Sequence, residues 1–118
     1  RIAVLAGKAV GAVYTAFAAA DLRIAVEGCT IAAVEPKVAV SVLYKEEIEA
    51  SDSIAGATSA KAAAYAAEQC SAAAAVEAGA ADISCAGADV RAAVVGAMDM
   101  LATKRATRMP KKHGNMAL

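Results

Sequence analysis

Alanine occupies 36 of the 118 positions, and beside it stand only three tyrosines, one phenylalanine and no tryptophan. Alanine is the best helix former and buries only a methyl group. The chain therefore specifies helix strongly and core weakly. Its length suits one domain. Ordering each backbone position costs about 1–2 kcal/mol, and a small domain with a thin core is marginal. The expectation is that much of the stabilising contact comes from outside the chain: a membrane, sister copies or a larger complex. A self-sufficient monomer of closely packed alanine helices is the alternative.

The formal charge is zero but unevenly spread. Residues 1–103 carry seven basic and twelve acidic side chains, a balance of −5. The segment 104–118 carries Lys104, Arg105, Arg108, Lys111 and Lys112 with no acid, a balance of +5. This divides the chain into a helical domain, 1–103, and a basic C-terminal tail, 104–118. Such asymmetry marks an interaction tail. Other protein subunits are the expected partners, with a membrane or anionic lipid as a second class. The acidic run Glu46, Glu47, Glu49 and Asp52 offers the tail a counterpart within the chain or on a neighbour. Nucleic acid is disfavoured, because the tail lacks stacking aromatics and the body is acidic.

Three cysteines, Cys29, Cys70 and Cys85, cannot all pair within one chain. Their spacing matches no zinc pattern. They read as small buried side chains, with a Cys70–Cys85 bridge across a helical hairpin as the alternative.

Residues 2–20, IAVLAGKAVGAVYTAFAAA, form the most apolar stretch. As a helix this stretch is long enough to span a bilayer. Gly7 and Gly11 then make a GxxxG spacing that lets two helices approach closely, and Ala12, Ala16 and Ala20 extend the stripe. Within 22–44, Leu22, Ile24 and Val26, and later Val38, Val40 and Val42, alternate with small or polar residues, a period that argues for strands. Pro36 disfavours helix at Glu35, and a helix over 38–50 competes with the strand reading. A turn at 51–58 precedes a helix from Ser59 to Ala78, closed by Gly79. The last helix, Ala88 to Arg105, carries an amphipathic stripe of Val90, Val94, Ala97, Met98 and Leu101.

No chemical motif rises from this background. His113 is the only histidine and sits in the tail. Glu46 and Glu49 would share a helix face, but no ExxH accompanies them, so a bundle diiron site is unsupported. Gly7-Lys8 lacks the Ser/Thr and upstream glycine of a phosphate loop. Tyr14 and Phe17 read as packing residues. No cofactor, catalytic residue or metal ligand is indicated. The interaction residues are Gly7, Gly11, Lys104, Arg105, Arg108, Lys111 and Lys112.

The expected fold is mainly α: a small bundle of three or four alanine-rich helices, with a short β-hairpin within 22–44 as a variant. The expected function is a non-catalytic structural or accessory subunit of a larger assembly, such as a photosynthetic or respiratory membrane complex. A soluble self-assembling helical protein is the second reading, and a small enzyme or ligand carrier the third. The chain begins at Arg1 rather than methionine. Removal of a targeting peptide would explain that start, and so would a fragment of a longer chain; the first leads to an expected organelle membrane location, with the cytoplasm as alternative.

Overall fold

The computed structural model describes residues 1–105. Its frame is a parallel sheet. Strand β1 (Ile2–Leu5), β3 (Leu22–Val26) and β5 (Ile83–Cys85) lie in the order β1-β3-β5, with Ile2 opposite Leu22 and Ile24 opposite Ile83. Two shorter strands, β2 (Lys8–Val10) and β4 (Thr30–Ala32), form a second parallel pair with Ala9 opposite Ile31. Parallel neighbours need crossovers, and helices supply them. Helix α1 (Ala12–Ala18) lies between β2 and β3. Helices α2 (Pro36–Leu43), α3 (Lys45–Glu49), α4 (Ile54–Gln69) and α5 (Ala72–Glu77) fill the passage from β4 to β5. Helix α6 (Val90–Leu101) closes the described fold after a short 3-10 turn, Gly87–Asp89.

Both faces of the larger sheet are covered. Leu22 and Ile24 pack with Ile2, Ile83 and Cys85 against Ala93, Val94, Ala97 and Leu101 of α6. On the other face, Leu5 and Ala25 meet Phe17 of α1, Ala72 and Ala75 of α5, and Ala9 and Ile31 of the second sheet. Helices α2, α3 and α4 share a smaller core of Val40, Ile48 and Ala62. Ile24 and Val40 are the largest fully buried side chains. Alanines at 0–6 % exposure fill the remaining contacts, which brings helix and strand backbones close together.

The architecture corrects the all-helical expectation. Residues 2–20 are two strands and a seven-residue helix. Strands buried on both faces lose the polar alternation that distinguishes them from apolar helices. Gly7 and Gly11 lie on no helix and form no small-residue helix stripe. Gly11 sits at φ +58°, ψ −119°, a conformation that suits glycine and turns the chain from β2 into α1. Among the described residues no helix is long and apolar enough to cross a membrane. The segment 22–44 holds no hairpin: β3 and β4 belong to different sheets.

The period-two valines are helical. Pro36 occupies the first turn of α2, where its missing N–H costs nothing, and extended Glu35 precedes it. The long helix expected over 59–78 is broken at Cys70-Ser71. There Ser71 Oγ accepts the Ala74 N–H at 3.2 Å and starts α5. Gly79 follows α5 at φ +72°, as its place in the sequence predicts. The three cysteines are free, so no Cys70–Cys85 bridge forms.

Candidate functional site

Two helices spring from the carboxyl ends of adjacent parallel strands. Strand β2 runs through Gly11 into α1, and β4 runs through Ala33, Val34 and Glu35 into α2. In open α/β sheets, ligands collect where chains leave the carboxyl ends of the strands. The two exits are tied together. The Gly11 N–H donates to the Ala33 carbonyl at 3.3 Å, and Lys8 Nζ donates to Glu35 Oε1 at 2.5 Å. The first contact fixes the backbone of both turns. The second joins exposed side chains on β2 and at the foot of α2.

Beside these turns opens a groove of about 580 Å³. Tyr14 of α1, Ala33 and Val34 form one wall, Val38 and Val42 of α2 a second, and Tyr65 and Gln69 of α4 a third. The floor is Ile31, Cys70 and small alanines, including Ala75. The volume lies within the range of small-ligand sites. No carboxylate, ammonium, guanidinium or imidazole lines it among the described residues. The only side-chain polar atoms in the lining are the two tyrosine hydroxyls, the Gln69 amide and the Cys70 thiol. Burial pushes the Cys70 thiol up from its ordinary pKa, and it does the same to Cys29. A thiol held neutral is a poor nucleophile. Among the described residues the groove is therefore mostly apolar, with no side chain that is ionised at neutral pH.

The α2 side of the groove is unusual for a surface. Val34, Val38, Val42 and Leu43 are 51–73 % exposed. Helical spacing places Val38 and Val42 along one line of α2, turned away from buried Val40. A short distance along the molecule the character changes. Lys61 stands 4.6 Å from the Tyr44 ring centroid and donates to Glu47 Oε2 at 2.5 Å. Lys45 and Glu49 approach to 3.9 Å.

The residues singled out from the sequence do not gather at this groove. Lys104 donates to Asp21 at the entrance to β3, not to the acidic run of α3. Arg105 is exposed. Arg108, Lys111, Lys112 and His113 lie outside the described residues. Glu46, Glu47 and Glu49 all sit on α3. Among the described residues no three metal-ligating side chains come together. Of Tyr14 and Phe17, Tyr14 reaches the groove. Ala33, Val34 and Gln69 gave no signal, and Val38 only a strand-like period, because apolar walls assembled from separate elements leave no motif.

Comparison with known proteins gives the groove its context. A family model for the carboxyl transferase domain matches residues 1–116. The chain is 35 % identical, over its whole length, to the methylmalonyl-CoA decarboxylase subunit alpha of Veillonella parvula, of which it spans 22 %. It superposes on two crystal structures of transcarboxylase 12S at a TM-score of 0.77 and 33 % identity. The match covers 97 % and 98 % of this chain and 23 % of each 12S chain. One of those structures holds methylmalonyl-coenzyme A and methylmalonic acid, the other hydrolysed methylmalonyl-coenzyme A, and both are described as a hexamer forming a multienzyme core. This chain thus spans between a fifth and a quarter of the relatives it matches.

These matches overturn the reading of the chain as a non-catalytic helical subunit of a membrane complex. The matched family is one of enzymes, and its fold is the parallel α/β arrangement found here. The relatives do form multi-subunit assemblies, in keeping with the expectation of protein partners.

Proposed function

The chain belongs to the carboxyl transferase domain family, and on that premise we propose that it supplies the acyl-binding wall of a carboxyl transferase acting on a short acyl-coenzyme A thioester. The groove between α1, α2 and α4 carries this reading. It has the volume and the apolar lining to take an acyl group and the adjoining thioester arm. The compound named in both groups of relatives, methylmalonyl-CoA, is the substrate that fits this proposal.

The lining has a chemical consequence. A carboxylate seated against alkyl walls exchanges its water shell for a weaker environment. Its charge is better accommodated once the carboxyl group leaves and the electron pair spreads into the thioester enolate. Residues that place the apolar arm while leaving the carboxyl end unsolvated would favour that departure. Among the described residues the groove supplies no cation for the phosphates of the coenzyme and no carboxylate or imidazole for the reacting carbon. In this proposal those functions are left to groups outside the groove.

A titration of the ¹⁵N-labelled chain with methylmalonyl-CoA tests this reading. Amide shifts concentrated at Tyr14, Ala33, Val38 and Gln69 are expected. Shifts confined to other surfaces, or none at millimolar ligand, would overturn it.

A further inference from the structure

Helix α4 ends on Gln69, the only glutamine in the chain. The end of the helix is fastened to the groove floor. The Ile31 N–H donates to the Cys70 carbonyl at 2.9 Å, and the Cys70 N–H donates to the Ala66 carbonyl at 3.2 Å. Tyr65 and Gln69 stand four residues apart and so share one face of α4. Both line the groove, and both also line a smaller recess of about 240 Å³ beside it. Gln69 therefore marks the place where the two spaces meet. Its side chain is exposed there, and among the described residues its amide makes no hydrogen bond within the protein. The recess beyond it is polar but close to balanced in charge. Lys61 lines it together with Glu68, and Lys61 is held by Glu47 at 2.5 Å. Such a passage suits an uncharged polar segment better than a phosphate.

We propose that Gln69 determines which thioester arm the groove accepts, by pairing with a secondary amide carried on that arm. The proposal rests on the assignment of the groove to an acyl-coenzyme A thioester. The pantetheine arm of coenzyme A carries two secondary amides, each with one N–H donor and one carbonyl acceptor. A primary amide matches that pattern. The Gln69 carbonyl accepts from the ligand N–H, and the Gln69 NH₂ group donates to the ligand carbonyl. An amide drawn into an alkyl-walled groove gives up its hydrogen bonds to water, and burying it without a partner is costly. Gln69 restores those bonds at the point where the arm leaves the apolar walls. A thioester with an all-alkyl arm gains nothing from the residue, so Gln69 selects for the amide-bearing arm.

The test compares methylmalonyl-pantetheine, which carries both amides, with the S-octyl thioester of methylmalonic acid, which carries neither. Each is titrated into the unaltered ¹⁵N-labelled chain and into Gln69→Met, a substitution that keeps the length and helix propensity of the side chain. Gln69→Met is expected to weaken the pantetheine thioester about tenfold, the scale of one or two hydrogen bonds, and to leave the octyl thioester within about twofold. A second measurement needs no variant. The side-chain NH₂ resonances of Gln69 should move with the pantetheine thioester and stay still with the octyl thioester. Equal weakening of both ligands by the variant, weakening of neither, or a motionless Gln69 NH₂ while groove amides shift would overturn the role of Gln69 and leave the groove assignment standing. Failure of both thioesters to bind the unaltered chain would overturn the assignment itself, and the role of Gln69 with it.

Discussion

Arg23 holds Asp82 with three hydrogen bonds. Its Nη2 donates to Oδ1 at 2.8 Å, its Nε to Oδ2 at 3.0 Å, and its backbone N–H to the same Oδ2 at 2.8 Å. The Asp82 N–H returns a bond to the Arg23 carbonyl at 2.9 Å. Fifty-nine residues separate the two in sequence, and their clasp sets the approach of β5 to β3. Two-pronged pairs of this kind are the strong members of their class. The side chains remain 23 % and 38 % exposed, so solvent screening reduces the contribution to about 1 kcal/mol. Asp82→Ala is expected to lower the melting temperature by about 4–8 °C, measured by circular dichroism. An unchanged melting temperature would show that the clasp contributes nothing.

Asp21 predicts a response to acid. Its carboxylate accepts from Lys104 and from the Arg1 ammonium group, which lower its pKa to about 2. The unfolded chain titrates near 3.9. A pKa depressed in the folded state contributes stability above the unfolded value, and that contribution fades as pH falls towards about 2. Asp82 acts in the same direction, because Arg23 holds its carboxyl below the usual range. Stability is therefore expected to fall between about pH 4 and pH 2. Carboxyl NMR should place the Asp21 midpoint near 2, and Lys104→Ala should move it upward.

Ala97 tests the packing logic of the alanine-rich interfaces. It is fully buried where α6 crosses β3, against Leu22 and Ile24. Ala97→Leu is expected to cost about 1–3 kcal/mol by forcing helix and sheet apart. Ile24→Ala should cost about 2–5 kcal/mol from the opposite cause, a cavity. Urea unfolding measures both. Tolerance of leucine at 97 would mean that α6 does not seat closely.

Much of α6 is legible in the sequence. Val94, Ala97 and Leu101 recur at helical spacing and face the sheet, although Met98 of the same stripe is 60 % exposed. The glycine after α5 is legible too. Strand β1 is not. Ile2, Ala3, Val4 and Leu5 are apolar on both faces, because a parallel sheet is covered on both sides, and alanine-rich helix has the same composition. In α2 the alternation of Val38, Val40 and Val42 imitates a strand. Only tertiary contact distinguishes them, with Val40 buried and the other two exposed. The groove is illegible for a related reason. Its walls come from positions 14, 33–43 and 65–80 and carry no ionisable motif.

Gly11 joins fold to site. Its φ of +58° with ψ of −119° is strained for any other residue, although a Cβ would meet nothing within 4 Å. Gly11→Ala is therefore expected to destabilise by a backbone effect alone, about 1–3 kcal/mol. The variant should also weaken ligand binding, because the Gly11–Ala33 bond positions one wall of the groove. Chemical denaturation and ligand titration on the same variant measure the two effects.

The most direct test of the central claim is to fill the groove. Ala33 is exposed, lies between β4 and α2, and lines the cavity, so Ala33→Phe blocks the space at small cost to the fold. The measurement is the Kd of methylmalonyl-CoA for Ala33→Phe and for the unaltered chain, by calorimetric titration. The account predicts at least a tenfold weaker affinity in the variant with a melting temperature within a few degrees. Equal affinity in two equally folded proteins would contradict it.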